Sequence, residues 1–356
     1  MFGWSMTTVK SGGPVGRTLV VGGYGAVGAA VTTALSGWFP GRVVPAGRDE
    51  EKARRLGGVR VDASDPEAFR RTLDELGDIA AVVLCVEPPD AELARICFAR
   101  GIHLVDVGAN RHLLDAVSAL HDEAAATKAT AVLSVGVAPG LTNLLARRAH
   151  EAVGGAERLD LTVLLGSGER HGADAVRWTV AGLTEPCTAR PARTSLPGYG
   201  ARTAHPFPFS DQHTLARTLG VPGVTTRLCL DSRPLTSALF SLRRTPALQR
   251  AVGHPAAQRL LTASFRHIHL GGSGFAIRAD AHRGERHAAY ALTGREQSDI
   301  TGLTAAYATR ALLAPGALDA LPPGVHHIDQ LPALATLPES LAPHGVTVHR
   351  RRAPGW

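Results

Sequence analysis

The chain has 356 residues, 44% of them hydrophobic and 19% charged, which excludes disorder throughout and exceeds what one hydrophobic core ordinarily supports. Its formal net charge of +7 comes almost entirely from arginines scattered along the sequence, the lysines being Lys10, Lys52 and Lys128. Only the tail "VHRRRAP" concentrates basic residues, so nucleic acid is not expected as a partner.

Residues 1–16, "MFGWSMTTVKSGGPVG", contain no apolar leader core and read as a flexible tail. From 17 to 153, the runs "TLVVG", "RVVPAG", "GVRVDA", "IAAVVLCV", "IHLVDVG" and "AVLSVG" alternate with helix-length stretches. Six such strands predict an α/β domain with a Rossmann-type, doubly wound parallel sheet. In "DASDPEAFRRTLDEL", Ser64 or Asp65 can cap a helix whose first turn holds Pro66. The texture changes over 154–297, where a second, α+β domain with an antiparallel sheet is expected, serving substrate binding and dimerisation. There "RLDLTVLLGSG" reads as a strand and "GFAIRADAHRGERHAAYALTG" as a hairpin turning at Arg283 and Gly284. Between them, "PCTARPARTSLPGYGARTAHPFPFSD" lacks periodicity and reads as loops near a cleft or interface. Residues 298–313 return to helical spacing, inside a C-terminal part, 298–356, expected to return to the first domain. No apolar run approaches the ~20 residues of a membrane span, so a cytoplasmic protein without membrane contact is expected.

Gly23, Gly25 and Gly28 form G-x-G-x-x-G directly after the first strand and at the mouth of a helix. In that context the first glycine permits the tight turn, the second lets a pyrophosphate approach, and the third lets helix and strand pack closely. With Tyr24, Ala26 and Val27 they make the expected cofactor loop. At the end of the second strand, "VVPAGRDE", Ala46 and Gly47 stand where an NAD-binding chain usually places a carboxylate. Arg48 follows, and a guanidinium pairs with a 2′-phosphate, which favours NADP(H). Asp49 or Glu50 turning inward would instead favour NAD.

Ligands of such sheets bind beyond the carboxyl ends of the strands, so "LCVEPP", "VDVGAN" and "SVGVAPGLTN" should face the nicotinamide half, with Val86, Pro139 and Gly140 against it. Asp106, ending an apolar strand, is a candidate proton donor or substrate anchor, or a loop cap. Glu87 can bind a cationic amine or iminium, or lie in water, and His205 is a third catalytic candidate. Arg177, Trp178, Asp211 and His213 flank the long loop and are substrate-binding candidates, each with the alternative of an ordinary surface residue. Asn143 reads as a helix-face residue. The histidines of "RHIHL" (266–270) and "VHHID" (325–329) bring no set of three or four ligands, so no metal is expected. Cys85, Cys97, Cys187 and Cys229 lack CxxC spacing and read as buried thiols.

Taken together, "VVGGYGAVG", "AGRDEEKA", "GIHLVDVGA", "SVGVAPGLTNLLARRA" and "HPFPFSDQHTL" resemble the saccharopine dehydrogenase (saccharopine reductase) family over most of residues 17–330. The resemblance implies a Rossmann domain, a usually dimeric substrate domain around an antiparallel sheet, a nicotinamide dinucleotide cofactor, and hydride delivery to an imine. It carries Gly23, Gly25, Gly28 and Arg48 over to the cofactor motif, and Pro139 and Gly140 to the loop near the nicotinamide. Three functions follow: an NADP(H)-dependent imine reductase acting on a small molecule, a reductase of a polarised C=C bond, or a non-catalytic dinucleotide sensor. Glu87 departs from the small or apolar residue expected before the prolines, and the chain is short for a full saccharopine reductase.

Overall fold

A computed structural model describes residues 16–168, 182, 183, 185, 187, 189–242, 271–314 and 321–350. Residues 1–15, the candidates Arg177 and Trp178, and "RHIHL" lie outside the described residues.

The first sheet contains β1 (Arg17–Val21), β2 (Val43–Gly47), β3 (Val59–Arg60), β4 (Ile79–Leu84), β5 (His103–Asp106), β6 (Thr130–Leu133) and β13 (Gly324–His327). Its order is β13-β6-β5-β4-β1-β2-β3, and every pair is parallel. The order therefore reverses between β1 and β4, which opens a crevice beyond their carboxyl ends. Apolar runs such as Leu19–Val21 and Val82–Leu84 are buried because helices cover both faces. These helices include α1 (Ala26–Trp38), α2 (Glu50–Arg55), α3 (Pro66–Leu76), α4 (Glu92–Phe98), α5 (Arg111–Ser118) and α6 (His121–Ala126). Asp65 caps α3, accepting from the Ala68 amide at 2.9 Å, with Pro66 next in the chain.

After α7 (Thr142–Ala152) the chain enters the second sheet, β14-β12-β11-β7-β10-β9-β8. Its members are β7 (Arg158–Leu165), β8 (Ala192–Leu196), β9 (Gly200–Pro206), β10 (Gly223–Leu230), β11 (Gly274–Arg283), β12 (Arg286–Arg295) and β14 (Thr347–Arg350). The expected antiparallel sheet is in fact mixed, because β7 and β10 run parallel. The connection over 166–222 is long enough for the crossover that a parallel pair needs. The expected loops contain the β8/β9 hairpin, whose short strands were masked by proline, glycine and arginine. The β11/β12 turn sits one residue later than expected, at Gly284 and Glu285, since Arg283 pairs with Arg286; Gly284 takes φ +50°.

Helices α8 (Asp211–Thr218) and α9 (Arg233–Leu242) belong to this half, and α10 (Gln297–Leu312) returns to pack along α1. The C-terminal part is then divided between the sheets: β13 pairs with β6, whereas β14 pairs with β12. One buried cluster runs through Val31 and Leu35 of α1, Leu145 of α7, Leu161 of β7, Ile277 of β11 and Ala305 of α10, so the two sheets share a core.

The α1/α10 contact is closed by Gly302. A Cβ there would lie 2.5 Å from the Val27 carbonyl oxygen and 2.7 Å from the Ala30 Cβ. Gly302→Val should therefore destabilise the protein by about 1–3 kcal/mol in urea titration. Gly37→Ala, also on α1 but with nothing within 4 Å, should be neutral or slightly stabilising. Equal effects of the two would contradict this packing.

Candidate active site

The cofactor loop forms because its glycines allow approaches that no side chain would. Gly22 takes φ +81°, and a Cβ on Gly28 would fall 2.1 Å from the Gly22 carbonyl oxygen. The start of α1 thus rests directly on the turn after β1. Ala29 is the first residue whose amide finds an acceptor within α1, the Gly25 carbonyl at 2.9 Å. The amides of Ala26, Val27 and Gly28 are thereby left for an outside acceptor, and the first turn holds no acidic residue and no side-chain cap. Gly25 and Ala26 are exposed, and the Val86 side chain closes over Gly22 from the end of β4. An anionic pyrophosphate fits this arrangement.

At the end of β2, the Tyr24 ring covers Gly47 and its hydroxyl accepts from the Asp49 amide at 2.7 Å. Asp49 is committed elsewhere: its carboxylate caps α2 by accepting from the Lys52 amide at 3.1 Å. That amide holds its pKa below the usual carboxylate range against the opposing effect of burial, and the Lys52 side chain adds a smaller downward pull. Glu50 pairs with Arg54 at 2.5 Å. Arg48 is exposed and makes no hydrogen bond or ion pair among the described residues. Of the groups at this strand end, the cation is the one available to a ligand, and a 2′-phosphate suits it.

Beyond β4 and β5 the expected residues separate. Glu87 is exposed, and its Oε1 accepts from Asn110 Nδ2 at 2.7 Å. Asn110 also caps α5, its Oδ1 accepting from the amides of His112 and Leu113 at 3.0 and 3.4 Å. Asp106, by contrast, is completely buried. Its Oδ1 accepts from the Gly108 amide at 2.7 Å, and its Oδ2 is enclosed without a hydrogen-bond partner among the described residues. Burial pushes its pKa up to about 6, against the Gly108 amide, with the Glu87 charge adding a smaller upward push. Asp106 therefore shapes the turn after β5 and does not meet the crevice.

Asp211 is likewise completely buried, with Oδ1 accepting from the Thr226 hydroxyl at 2.6 Å, so it does not line a cleft. Burial raises its pKa to about 6 against the pull of the Thr226 and Thr142 hydroxyls. His213 is half-buried on α8, where burial, followed by the charge of Arg111, lowers its pKa. Its helix is tied to α5 by Arg217 and Asp115 at 2.6 Å. His205 is half-buried on β9 and stacks on Phe240 at 4.3 Å, so it belongs to the second sheet's packing.

The turn between β6 and α7 contains Pro139 and Gly140, both buried, leaving Ala138 half-exposed. Pro139 and Gly140 thus shape the turn from beneath. Asn143, expected on a helix face, is buried and joins three segments. Its Oδ1 accepts from the Gly140 amide at 3.0 Å, while Nδ2 donates to Thr214 at 3.2 Å and to Asp329 at 3.1 Å. Sequence reasoning also missed Asn110, although an asparagine just before a helical run is an N-cap signal. Among the described residues, no three His, Cys, Asp or Glu side chains converge as metal ligands, and no helix is long and apolar enough to cross a membrane.

Residues 18–132 match the family model described as "Saccharopine dehydrogenase NADP binding domain". The match runs from β1 to β6, so this part of the chain is similar to the nucleotide-binding domain of that family. The chain also shares its fold with apo saccharopine dehydrogenase (L-Glu forming) from Saccharomyces cerevisiae. That match has a TM-score of 0.62 and 12% identity, over 94% of this chain and 100% of the other. C. glutamicum DAP dehydrogenase in complex with DAP aligns over 92% of this chain and 98% of its own, at 17% identity and a TM-score of 0.49.

The two buried carboxyls set a pH dependence. Each has a folded pKa raised to about 6 from 3.8, so the native state keeps a proton that the unfolded state has released. Their contribution to stability is therefore full below pH ~4, falls as pH rises to ~6, and is constant above, each amounting to roughly 2–3 kcal/mol. Urea titrations from pH 4 to 7.5 should show this decline shrinking in Asp106→Asn. An unchanged pH profile in that variant would contradict the assignment.

Proposed function

We propose that the saccharopine dehydrogenase-like chain is an NADP(H)-dependent reductase that acts on the C=N bond of a small metabolite formed from an amine and a carbonyl compound. The amides of Ala26, Val27 and Gly28 would hold the pyrophosphate, in a loop kept open by Gly23 and Gly25. Arg48 beside Tyr24 would hold the 2′-phosphate, and Val86 and the turn of Pro139 and Gly140 would border the other half. Bound NADPH supplies the hydride.

The observation that carries the choice of C=N is Glu87. It is an exposed carboxylate fixed by Asn110 at the edge of the crevice, with Oε1 bonded and Oε2 making no hydrogen bond among the described residues. A carboxylate held in this way stabilises a protonated imine without having to reorganise, and the cation makes the carbon electrophilic. Asp106 supports the turn behind it. The neighbouring Arg111 and His112 are exposed too, so the rim is polar. An enoyl chain would strip water from these groups without replacing their hydrogen bonds, which disfavours C=C reduction.

Loss of NADPH absorbance should occur with amine and carbonyl compounds supplied together, and not with enoyl acceptors. Arg48→Ala should weaken NADPH binding roughly tenfold, as expected for loss of a charge-assisted hydrogen bond, and leave NADH binding unchanged. Glu87→Gln should lower turnover and keep NADPH affinity. NADPH binding with no turnover on any acceptor would favour the sensor reading, and an unaffected Glu87→Gln would remove that residue from the chemistry.

A further inference from the structure

The adjacent histidines of "VHHID" have no place in the reductase reading so far. His327 ends β13, in register with Leu133 at the end of β6, so its ring lies beside the first residue of the turn that follows. That residue, Ser134, is buried and takes φ +57°, a left-handed conformation that costs a non-glycine residue on the order of 1–3 kcal/mol unless its surroundings fix it. The Ser134 hydroxyl and His327 Nδ1 are 2.9 Å apart, and the ring's Nε2 is 3.5 Å from the Ser118 hydroxyl. The His327 amide donates to the Gln330 side chain at 2.9 Å, which fixes the backbone that carries the ring.

Two residues later, Asp329 is 1% exposed and grips the other end of the same turn. Its Oδ1 accepts from Asn143, and Asn143 in turn accepts from the amide of Gly140, which takes φ +133°. The Asp329 carbonyl accepts from Arg147 at 2.6 Å on α7, tying this segment to the helix that follows the turn. Of the two positive-φ residues in the turn, Ser134 is thus held directly, and Gly140 through Asn143, by side chains of one short C-terminal segment. This turn sits at the carboxyl end of β6, on the side of the sheet where such folds bind their ligands.

We infer that His327 and Asp329 are positioning residues that clamp the two ends of the turn over 134–143 and so fix the part of the crevice that receives the nicotinamide half of the cofactor. The inference rests on the proposed dinucleotide site. The clamp acts through Ser134 and Asn143 and touches no reacting atom. It makes a segment far along the chain from the glycine loop responsible for one half of the cofactor site and indifferent to the other.

Two probes separate the halves: NADPH, read by the fluorescence of its reduced nicotinamide, and 2′,5′-ADP, which occupies the adenosine half alone. Ser134→Ala and Asp329→Leu should bind 2′,5′-ADP within about twofold of the unaltered protein. They should bind NADPH roughly tenfold more weakly and lose the change in nicotinamide emission on binding, because small displacements of a positioning element are costly. His327→Asn, which keeps a group near the position of Nδ1, and Asp329→Asn, which keeps an acceptor for Asn143, should retain both signals. Unchanged NADPH affinity and emission in Ser134→Ala and Asp329→Leu would overturn the inference, and so would an equal loss of both ligands. If Asp329→Leu does not fold, Ser134→Ala decides alone, since it deletes one hydroxyl. Failure of the unaltered protein to bind either probe would instead refute the dinucleotide site, and the inference with it.

Discussion

Helix α1 is held between two surfaces that approach it more closely than side chains permit. On one side Gly28 lies against the Gly22 carbonyl, and on the other Gly302 of α10 lies against Val27 and Ala30. The first contact points the free amides of α1 into the crevice at the β1/β4 reversal. The second fixes α1 to a helix whose Thr301 hydroxyl oxygen accepts from the Val137 amide, at 3.3 Å, in the turn after β6. The helix with the free first-turn amides and the turn beyond β6 are therefore tied to the same element. A displaced α10 would disturb both.

Polar groups in the shared core complete this arrangement. Asn143 satisfies the Gly140 amide and bonds Thr214 on α8 and Asp329 near the C-terminus, so it joins the two sheets and the last part of the chain at one point. Such a network is stabilising only while its members remain paired, because each lost partner leaves a buried polar group unsatisfied. Asp106 and Asp211 show the cost of incomplete pairing: each keeps one enclosed oxygen without a hydrogen-bond partner among the described residues, and burial raises both pKa values. Glu87 and Arg48, by contrast, are exposed to solvent.

The first sheet was legible in the sequence because most of its first six strands are short apolar runs with clear turn signals, β3 with only Val59 and Arg60 being the exception, and because the glycine spacing has a single steric meaning. The second sheet was only partly legible. The parallel pairing of β7 and β10 depends on a long crossover that leaves no local pattern, and β8 and β9 are rich in residues that ordinarily mark loops. At the candidate site, the exposure of Arg48 at the end of β2 and the close packing at the glycines could be read locally, since both follow from neighbours in the chain. Asp106 and Asp211 could not, because their burial depends on tertiary packing. The same is true of Asn143 and His327, whose partners lie far away in sequence.

The most direct measurement is a crystal structure of the protein soaked with NADP+. The account predicts the pyrophosphate on the amides of Ala26, Val27 and Gly28, the 2′-phosphate within hydrogen-bond distance of Arg48, and the nicotinamide between Glu87 and the turn at Ala138. A cofactor seated away from the glycine loop, or one whose nicotinamide points away from Glu87, would contradict it.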